Sequence, residues 1–214
     1  MDPMDASGFV VLADAIPDIL QDVRYHTRFN FIGRRVEGYE TPCAISTRET
    51  AEALRPAVSC AARLGLRLKV LDSYRPQRAV DHFIRWVEDE EDTLMKPWFY
   101  PETEKRDFYA LDFIGRRFRH SRGSALDLTL VDMRTGMDLD MGGPFDFFGP
   151  RSNYGFAGLT ARQAENRRLL RQLMTDCGFL PLEAEWWHFG LKDEPYPDTY
   201  FDFPVNSNVI NSDL

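Results

Sequence analysis

The spacing of hydrophobic and polar positions changes period several times along the chain, and each change marks an element. Residues 9–13 (FVVLA) are a short apolar run and read as a strand. Residues 30–42 carry two glycines and a proline and read as a loop. Ser46 followed by Glu49 has the S-x-x-E spacing of a capping box, so a helix is expected from about Thr47 to Leu64, closed by Gly65. Pro56 lies inside that span and is expected to kink or split it. Over 66–72, Leu66, Leu68 and Val70 alternate with Arg67 and Lys69, which predicts a strand with one buried face. Pro76 suits the first position of a helix over about Gln77–Glu90 and holds Arg75 extended. Residues 91–118 are interrupted by Asp92, Lys96, Pro97 and Pro101 and read as an irregular insertion with short helical pieces, a type of loop that often serves as a lid. The aromatics at 98–100 are expected to be its packing. Residues 124–131 are a strand with Leu126, Leu128 and Leu130 on one face and Ala125, Asp127 and Thr129 on the other. Residues 132–158 read as a long ordered loop. Thr160 caps a helix over 161–177 whose apolar positions Leu169, Leu170, Leu173, Met174 and Cys177 keep helical spacing, and Gly178 ends it. Residues 185–191 are a last strand, and the polar tail from Asp202 is expected to be loosely held.

Helices and strands are mixed without regular βαβ alternation. The expectation is therefore a single α+β domain over residues 1–204, with a central, mostly antiparallel sheet and flanking helices, and a polar C-terminal tail at 205–214. A chain of 214 residues can bury one sizeable core. Its net charge of −8 repels phosphate backbones, which argues against a nucleic-acid partner. No apolar run approaches a membrane span. The N-terminal apolar run is short, broken by Asp14 and not preceded by a basic region, so it does not read as a secretory signal. A cytoplasmic enzyme is expected, with a periplasmic location as the alternative if a signal has been removed. Cys43, Cys60 and Cys177 are an odd, sparse set that reads as free thiols acting as small core residues.

Three constellations carry candidate chemistry. Aspartate is disfavoured inside a strand, and Asp127 sits there between two leucines; a carboxylate so placed needs a cation, a metal or several donors. His120 stands seven residues earlier. In a straight strand the two would lie roughly 23 Å apart. A shared metal therefore requires a turn or bulge at Ser121-Arg122-Gly123; the plain alternative is a surface histidine near an N-cap-like aspartate. The second constellation is Glu183-Ala184-Glu185-Trp186-Trp187-His188, in which two tryptophans make an apolar wall beside a histidine. Residues three apart point to opposite faces of a regular strand, so Glu185 and His188 can share a site only if Glu185 lies at a strand end or bulge. A catalytic zinc site needs three protein ligands, an open position and a base that is not a ligand. His120, Asp127 and His188 can supply the ligands. Glu185 is placed to be the base, with Glu183 as the rival and an exposed strand-end carboxylate as the plain alternative. The third is Tyr74-Arg75-Pro76, where an extended arginine can stabilise an oxyanion or pair with Asp72. Asp146, flanked by aromatics, can bind an ammonium or cap a turn; Tyr25 can lend a hydroxyl or fill the core. His26 and His82 read as structural.

Taken together these residues resemble the VanX-type D-alanyl-D-alanine dipeptidases, in the metallopeptidase group that includes zinc D-alanyl-D-alanine carboxypeptidases and the Hedgehog signalling domain. The resemblance runs through Tyr74-Arg75-Pro76-Gln77-Arg78-Ala79-Val80, His120-Ser121-Arg122-Gly123-Ser124-Ala125-Leu126-Asp127 and Glu185-Trp186-Trp187-His188. It implies one zinc ion per chain on His120, Asp127 and His188, Glu185 as general base and acid, and Arg75 as stabiliser of the tetrahedral intermediate. It further implies Tyr25 and Asp146 as contacts for the substrate amine, and a small cavity that takes free dipeptides, D-Ala-D-Ala first among them. A D,D-carboxypeptidase or peptidoglycan endopeptidase, or a non-catalytic zinc-binding domain, is the alternative. One position departs from the family pattern: a serine is expected two residues before the first histidine, and this chain has Phe118 there. The departure leaves the ligand set intact and bears on which dipeptide fits.

Overall fold

The computed structural model describes residues 1–111 and 113–211; Asp112 of the expected insertion and the last three residues of the expected tail lie outside the described residues. The chain runs β1 (Phe9–Val11), α1 (Leu12–Ala15), β2 (Leu20–Gln21), β3 (Ile45–Thr47), α2 (Arg48–Arg63), β4 (Leu66–Asp72), α3 (Gln77–Glu88), α4 (Lys96–Phe99), β5 (Ala125–Asp132), α5 (Ala161–Thr175), β6 (Phe179–Leu182), β7 (Glu185–Leu191) and α6 (Ser207–Asn211). Strands β2-β4-β5-β7-β6 form the central sheet, antiparallel throughout except for the β2–β4 edge, and β1 pairs with β3 in a separate two-stranded ribbon. This is the expected α+β domain. Among the described residues no helix is long and apolar enough to cross a membrane.

Leu68 pairs with Leu130 and Val70 with Leu128, so one face of the sheet is a leucine and valine surface. Helix α2 packs there with Leu54, Ala57 and Ala61 fully buried, joined by α5. The opposite face carries the site. Asp72 is opposite Asp127 on β4 and β5, and Asp127 is opposite His188 on β5 and β7. Directly paired residues point to the same side with Cβ atoms about 5 Å apart. Three polar side chains therefore stand in a row across three strands. The sequence assigns Asp127 and Thr129 to the less apolar face of β5, and that face is buried too, because the 91–118 and 132–158 loops cover it.

Several boundaries move from their expected places for identifiable reasons. Ser46 pairs with Val10 in the ribbon and is held extended, so the cap of α2 is Thr47, whose hydroxyl accepts from Thr50 N at 3.3 Å. Pro56 neither kinks nor splits α2. It lies on the exposed face, where the Glu52 carbonyl left without its usual donor faces water. Pro76 is the residue before α3 rather than its first residue. Strands β2 and β3, at two and three residues, are too short to leave a periodicity, and β6 contains Pro181. The chain from Asp202 is not loosely held. Phe203 stacks on Tyr74 at 4.3 Å, Val205 is buried and donates to Gly38 O at 2.7 Å, and Asp202 pairs with Arg78 at 3.0 Å. The three cysteines are free and half-buried.

The turn that brings His120 back toward β5 is a single 3-10 turn, Arg119–Arg122, closed by Gly123 at φ 79° with its N–H donating to His120 O at 2.9 Å. A Cβ on Gly123 would overlap the buried Phe9 ring, 2.6 Å from Cζ, and stand 3.1 Å from Thr47 Cγ2. Gly123→Ala combines a left-handed backbone with overpacking and is expected to cost about 2–4 kcal/mol. A fall in the urea midpoint of unfolding at unchanged m-value is the expected result; an unmoved midpoint would contradict this account of the turn.

Candidate active site

Donor atoms of three residues converge on one point. His188 Nδ1 is 3.0 Å from Asp127 Oδ1, His120 Nε2 is 3.3 Å from Asp127 Oδ2, and the two ring nitrogens are 3.1 Å apart. Four ligands at about 2.1 Å around a tetrahedral zinc lie about 3.4 Å from one another. The observed edges are close to that, with the two histidines each meeting a different oxygen of Asp127, and among the described residues these three are the ones that could hold a metal. His120 Nδ1 lies 2.6 Å from the Ser73 carbonyl. A carbonyl only accepts, so Nδ1 carries the proton and Nε2 is left with its lone pair toward the other two donors.

Arg75 takes the second of the roles that the sequence leaves open, the pairing with Asp72, and it also faces the cavity. Its Nε and Nη2 each reach Asp72 Oδ2 at 2.9 Å, and Nη2 stands 3.6 Å from Asp127 Oδ2. The guanidinium is enclosed by the rings of Tyr25, Phe83 and Phe118 at 5.0, 5.2 and 5.4 Å, and it lines the cavity. Asp72 is fully buried and also accepts from Tyr39 Oη at 2.6 Å. The sequence names Asp72 only as a partner for Arg75. Its link to Tyr39, and its place 3.6 Å from His120 Nδ1, appear only in three dimensions.

Glu185 begins β7. The β6–β7 register slips between Pro181 and Leu182, so that Glu185 pairs with Leu182. The slip breaks strict alternation, and Glu185 and His188 face one cavity with Oε2 and Nδ1 3.8 Å apart. Glu183 is exposed and pairs with Arg171, outside the cavity. Asp146 is buried, accepts from Tyr25 Oη at 3.1 Å, and leaves Oδ2 buried with no partner. It is also the one non-glycine at positive φ among the described residues, at 60°. The loop holds that conformation through a residue that the sequence analysis does not single out. Arg167 is fully buried and donates to the carbonyls of Met141, Arg151 and Asn153 at 2.5–2.7 Å. Its spacing three and seven residues before Leu170 and Met174, on the apolar side of the helix, is the hint that the sequence carries of this clamp. His26 and His82 lie outside the cavity, and His82 accepts from Glu37 N at 3.1 Å. Of the aromatics at 98–100, Trp98 is exposed while Phe99 and Tyr100 are core.

The cavity has a volume of about 380 Å³ and holds Tyr25, Arg75, His120, Asp127, Asp146, Glu185 and His188 together. Its carboxylates are driven apart in acidity. Burial opposes the charge of Asp127, yet His120 and His188 beside it hold its carboxyl well below the usual range. Burial, with Asp127 adding repulsion, pushes Asp146 well above it. Burial also pushes Glu185 up, against the pull of His188. Neighbouring carboxyls with divergent acidities are a feature of sites that divide acid and base tasks.

A family model described as D-ala-D-ala dipeptidase, of the M15 peptidases, matches residues 5–206. Curated proteins named D-alanyl-D-alanine dipeptidase are similar over nearly their whole length. The one from Enterococcus faecalis is 43% identical over 94% of this chain and 99% of its own, and the one from Enterococcus faecium 41% over 92% and 98%. The protein of that name from Streptomyces coelicolor is 40% identical over 92% and 98%.

The raised Asp146 carries a stability consequence. An unfolded aspartate loses its proton near pH 4. Folded Asp146 keeps it to higher pH, so between the two values the unfolded chain binds fewer protons. The Asp146 contribution is complete below pH 4 and is lost as pH rises through the folded value. Asp146→Asn is therefore expected to raise Tm at pH 7.5 by about 2–4 °C, equivalent to about 1 kcal/mol. It should raise it by less at pH 4; equal shifts at both pH values in calorimetry would contradict the assignment.

Proposed function

The chain belongs to the D-ala-D-ala dipeptidase family of peptidases, and from that premise we propose that it is a zinc-dependent dipeptidase that hydrolyses free D-Ala-D-Ala. The observation that carries the reading is the convergence of His120 Nε2, Asp127 and His188 Nδ1 within 3.0–3.3 Å, in one cavity with the unpaired buried oxygen of Asp146. Two imidazoles and one carboxylate suit zinc, and three protein ligands leave a fourth position open. Zinc bound there supplies Lewis-acid activation of a water and of the scissile carbonyl.

The remaining work falls to side chains of the chain itself. Glu185, half-buried with a raised affinity for protons, takes a proton from the attacking water and delivers it to the leaving amide nitrogen, so that the C–N bond breaks as the N–H bond forms. Arg75 donates to the oxyanion that develops on the carbonyl oxygen. Its guanidinium is already fixed by Asp72 and three aromatic rings, so no reorganisation accompanies the charge build-up. Asp146 and Tyr25 receive the substrate ammonium. The ammonium ionises Asp146 and fills the acceptor site that is otherwise unpaired. Recognition of a free amine in a cavity walled by residues 113–119 and by Phe148 favours a dipeptide over a longer chain.

Glu185→Gln is expected to retain one zinc per chain by atomic absorption while kcat on D-Ala-D-Ala falls about 10²–10⁴-fold. His120→Ala is expected to lose the metal as well as the activity. Near-wild-type turnover in Glu185→Gln would remove Glu185 from the mechanism. N-acetyl-D-Ala-D-Ala, which lacks the ammonium, should be a poor substrate, and cleavage of it as fast as the free dipeptide would sink the role of Asp146.

A further inference from the structure

We propose that the cavity is shaped for a dipeptide carrying a large apolar side chain, and that Phe118 sets this preference. The inference rests on the dipeptidase reading above and names the substrate class of the same site. The charged groups of the cavity suffice for the backbone of a dipeptide: Asp146 for the ammonium, Arg75 and the three ligand residues for the scissile carbonyl, Glu185 for the proton, and Arg117 and Arg119 at the lining for the free carboxylate. What remains is apolar. The rings of Phe83 and Phe31 meet at 4.8 Å, Phe31 and Phe148 at 5.1 Å, and Phe148 and Phe113 at 5.4 Å, so that four side chains make one continuous aromatic surface. Phe118 and Ile114 extend the lining, and all six of these residues face the cavity.

One absence among the described lining residues, and the cavity volume, sharpen the preference. No serine, threonine, asparagine or glutamine lines the cavity, so away from Arg117 and Arg119 a polar substrate side chain would lose its hydration without gaining a partner. Volume points the same way. Two alanine residues fill about 200 Å³ at interior packing density. The cavity measures about 380 Å³. A substrate with two methyl side chains therefore leaves water against aromatic rings, and displacing poorly held water with an apolar group gains affinity. A branched aliphatic or aromatic side chain would fill that space.

Phe118 is a wall residue tied to the reacting centre both along the chain and in space. It is two residues from His120, immediately before the 3-10 turn, with an extended backbone at φ −123° and ψ 152°. Its ring lies 5.4 Å from the Arg75 guanidinium, which is itself pinned to Asp72. The ring thus has a fixed place beside the group that meets the scissile carbonyl, and it is half-buried, with part of its surface left for a substrate. Phe113, on the far end of the aromatic surface, has no such anchor to the reacting residues.

The test compares kcat/KM of the zinc-loaded full chain for D-Ala-D-Ala with D-Ala-D-Leu, D-Ala-D-Phe, D-Leu-D-Ala and D-Phe-D-Ala. At least one larger dipeptide is expected to exceed D-Ala-D-Ala by about tenfold or more, the discrimination that added methylenes earn in an apolar pocket. In Phe118→Ser that ratio should fall at least about fivefold, within the same range of pocket effects. A ratio taken within one protein cancels any general loss of activity. Phe118→Leu repeats the measurement with a more conservative side chain if the serine variant does not melt cooperatively. D-Ala-D-Ala equal to or better than all four larger dipeptides would overturn the proposed preference and leave the dipeptidase reading standing. A larger-dipeptide preference unchanged in both Phe118 variants would overturn the role of Phe118. Turnover of none of the five dipeptides would overturn the dipeptidase reading, and this inference with it.

Discussion

A buried carboxylate in the middle of the central sheet is the constraint on which the rest of this structure depends. Asp127 lies on β5 with strands on both sides and covering loops above, in a place where an isolated charge would be prohibitively costly. The fold compensates from three directions. His188 comes from the paired position on β7, His120 from the turn before β5, and Arg75 from just beyond β4. Each compensating group needs an orientation of its own. Ser73 O sets the tautomer of His120, Asp72 pins Arg75, and Gly123 closes the turn. Structural charge balance and the assembly of a metal-ligating triad are here one arrangement.

The second organising feature is the Asp146 loop, which reaches the cavity from outside the sheet. Its aspartate combines a left-handed backbone, deep burial and an oxygen without a partner, three unfavourable features in one residue. Such a combination persists only where the surroundings over-determine it. Arg167 does so with three backbone carbonyls of the 141–153 stretch, and Asn166 adds the carbonyl of Asp140 at 2.8 Å. Helix α5 thereby serves two layers at once. Leu170 and Met174 are buried in the core, while Asn166 and Arg167 fasten the loop that completes the site. On the proposed function, stability given up at Asp146 is the counterpart of its place for the substrate ammonium.

The cavity also separates its chemical tasks by environment. Asp127, between two histidines, is held ionised, while Asp146 and Glu185 retain protons more readily. Around this polar centre, Arg117 and Arg119 apart, the walls are aromatic and aliphatic. A low-polarity surround strengthens each charge interaction inside it.

The alternation of β4 and β5 and the limits of β7 are legible in the sequence because side-chain period alone determines them; residues 185–191 form the strand as read. The three candidate ligands, Arg75, Glu185, Tyr25 and Asp146 also stand out as residues, through charges and hydroxyls in positions that apolar patterning would otherwise fill. Local chemistry does not determine which of them meet. The Asp72–Asp127–His188 row depends on strand register, and the Glu185–His188 approach depends on a slip beside Pro181. The burial of both faces of β5 depends on loops with no periodicity, and the anchoring of Phe203 and Val205 on partners more than a hundred residues away. By itself the sequence determined the elements with a repeating period and the inventory of reactive groups, because both are properties of near neighbours along the chain. Only the tertiary structure decided the register, the pairing of charges, the clamp by Arg167 and the shape of the aromatic wall, because each is set by contacts between segments far apart in sequence.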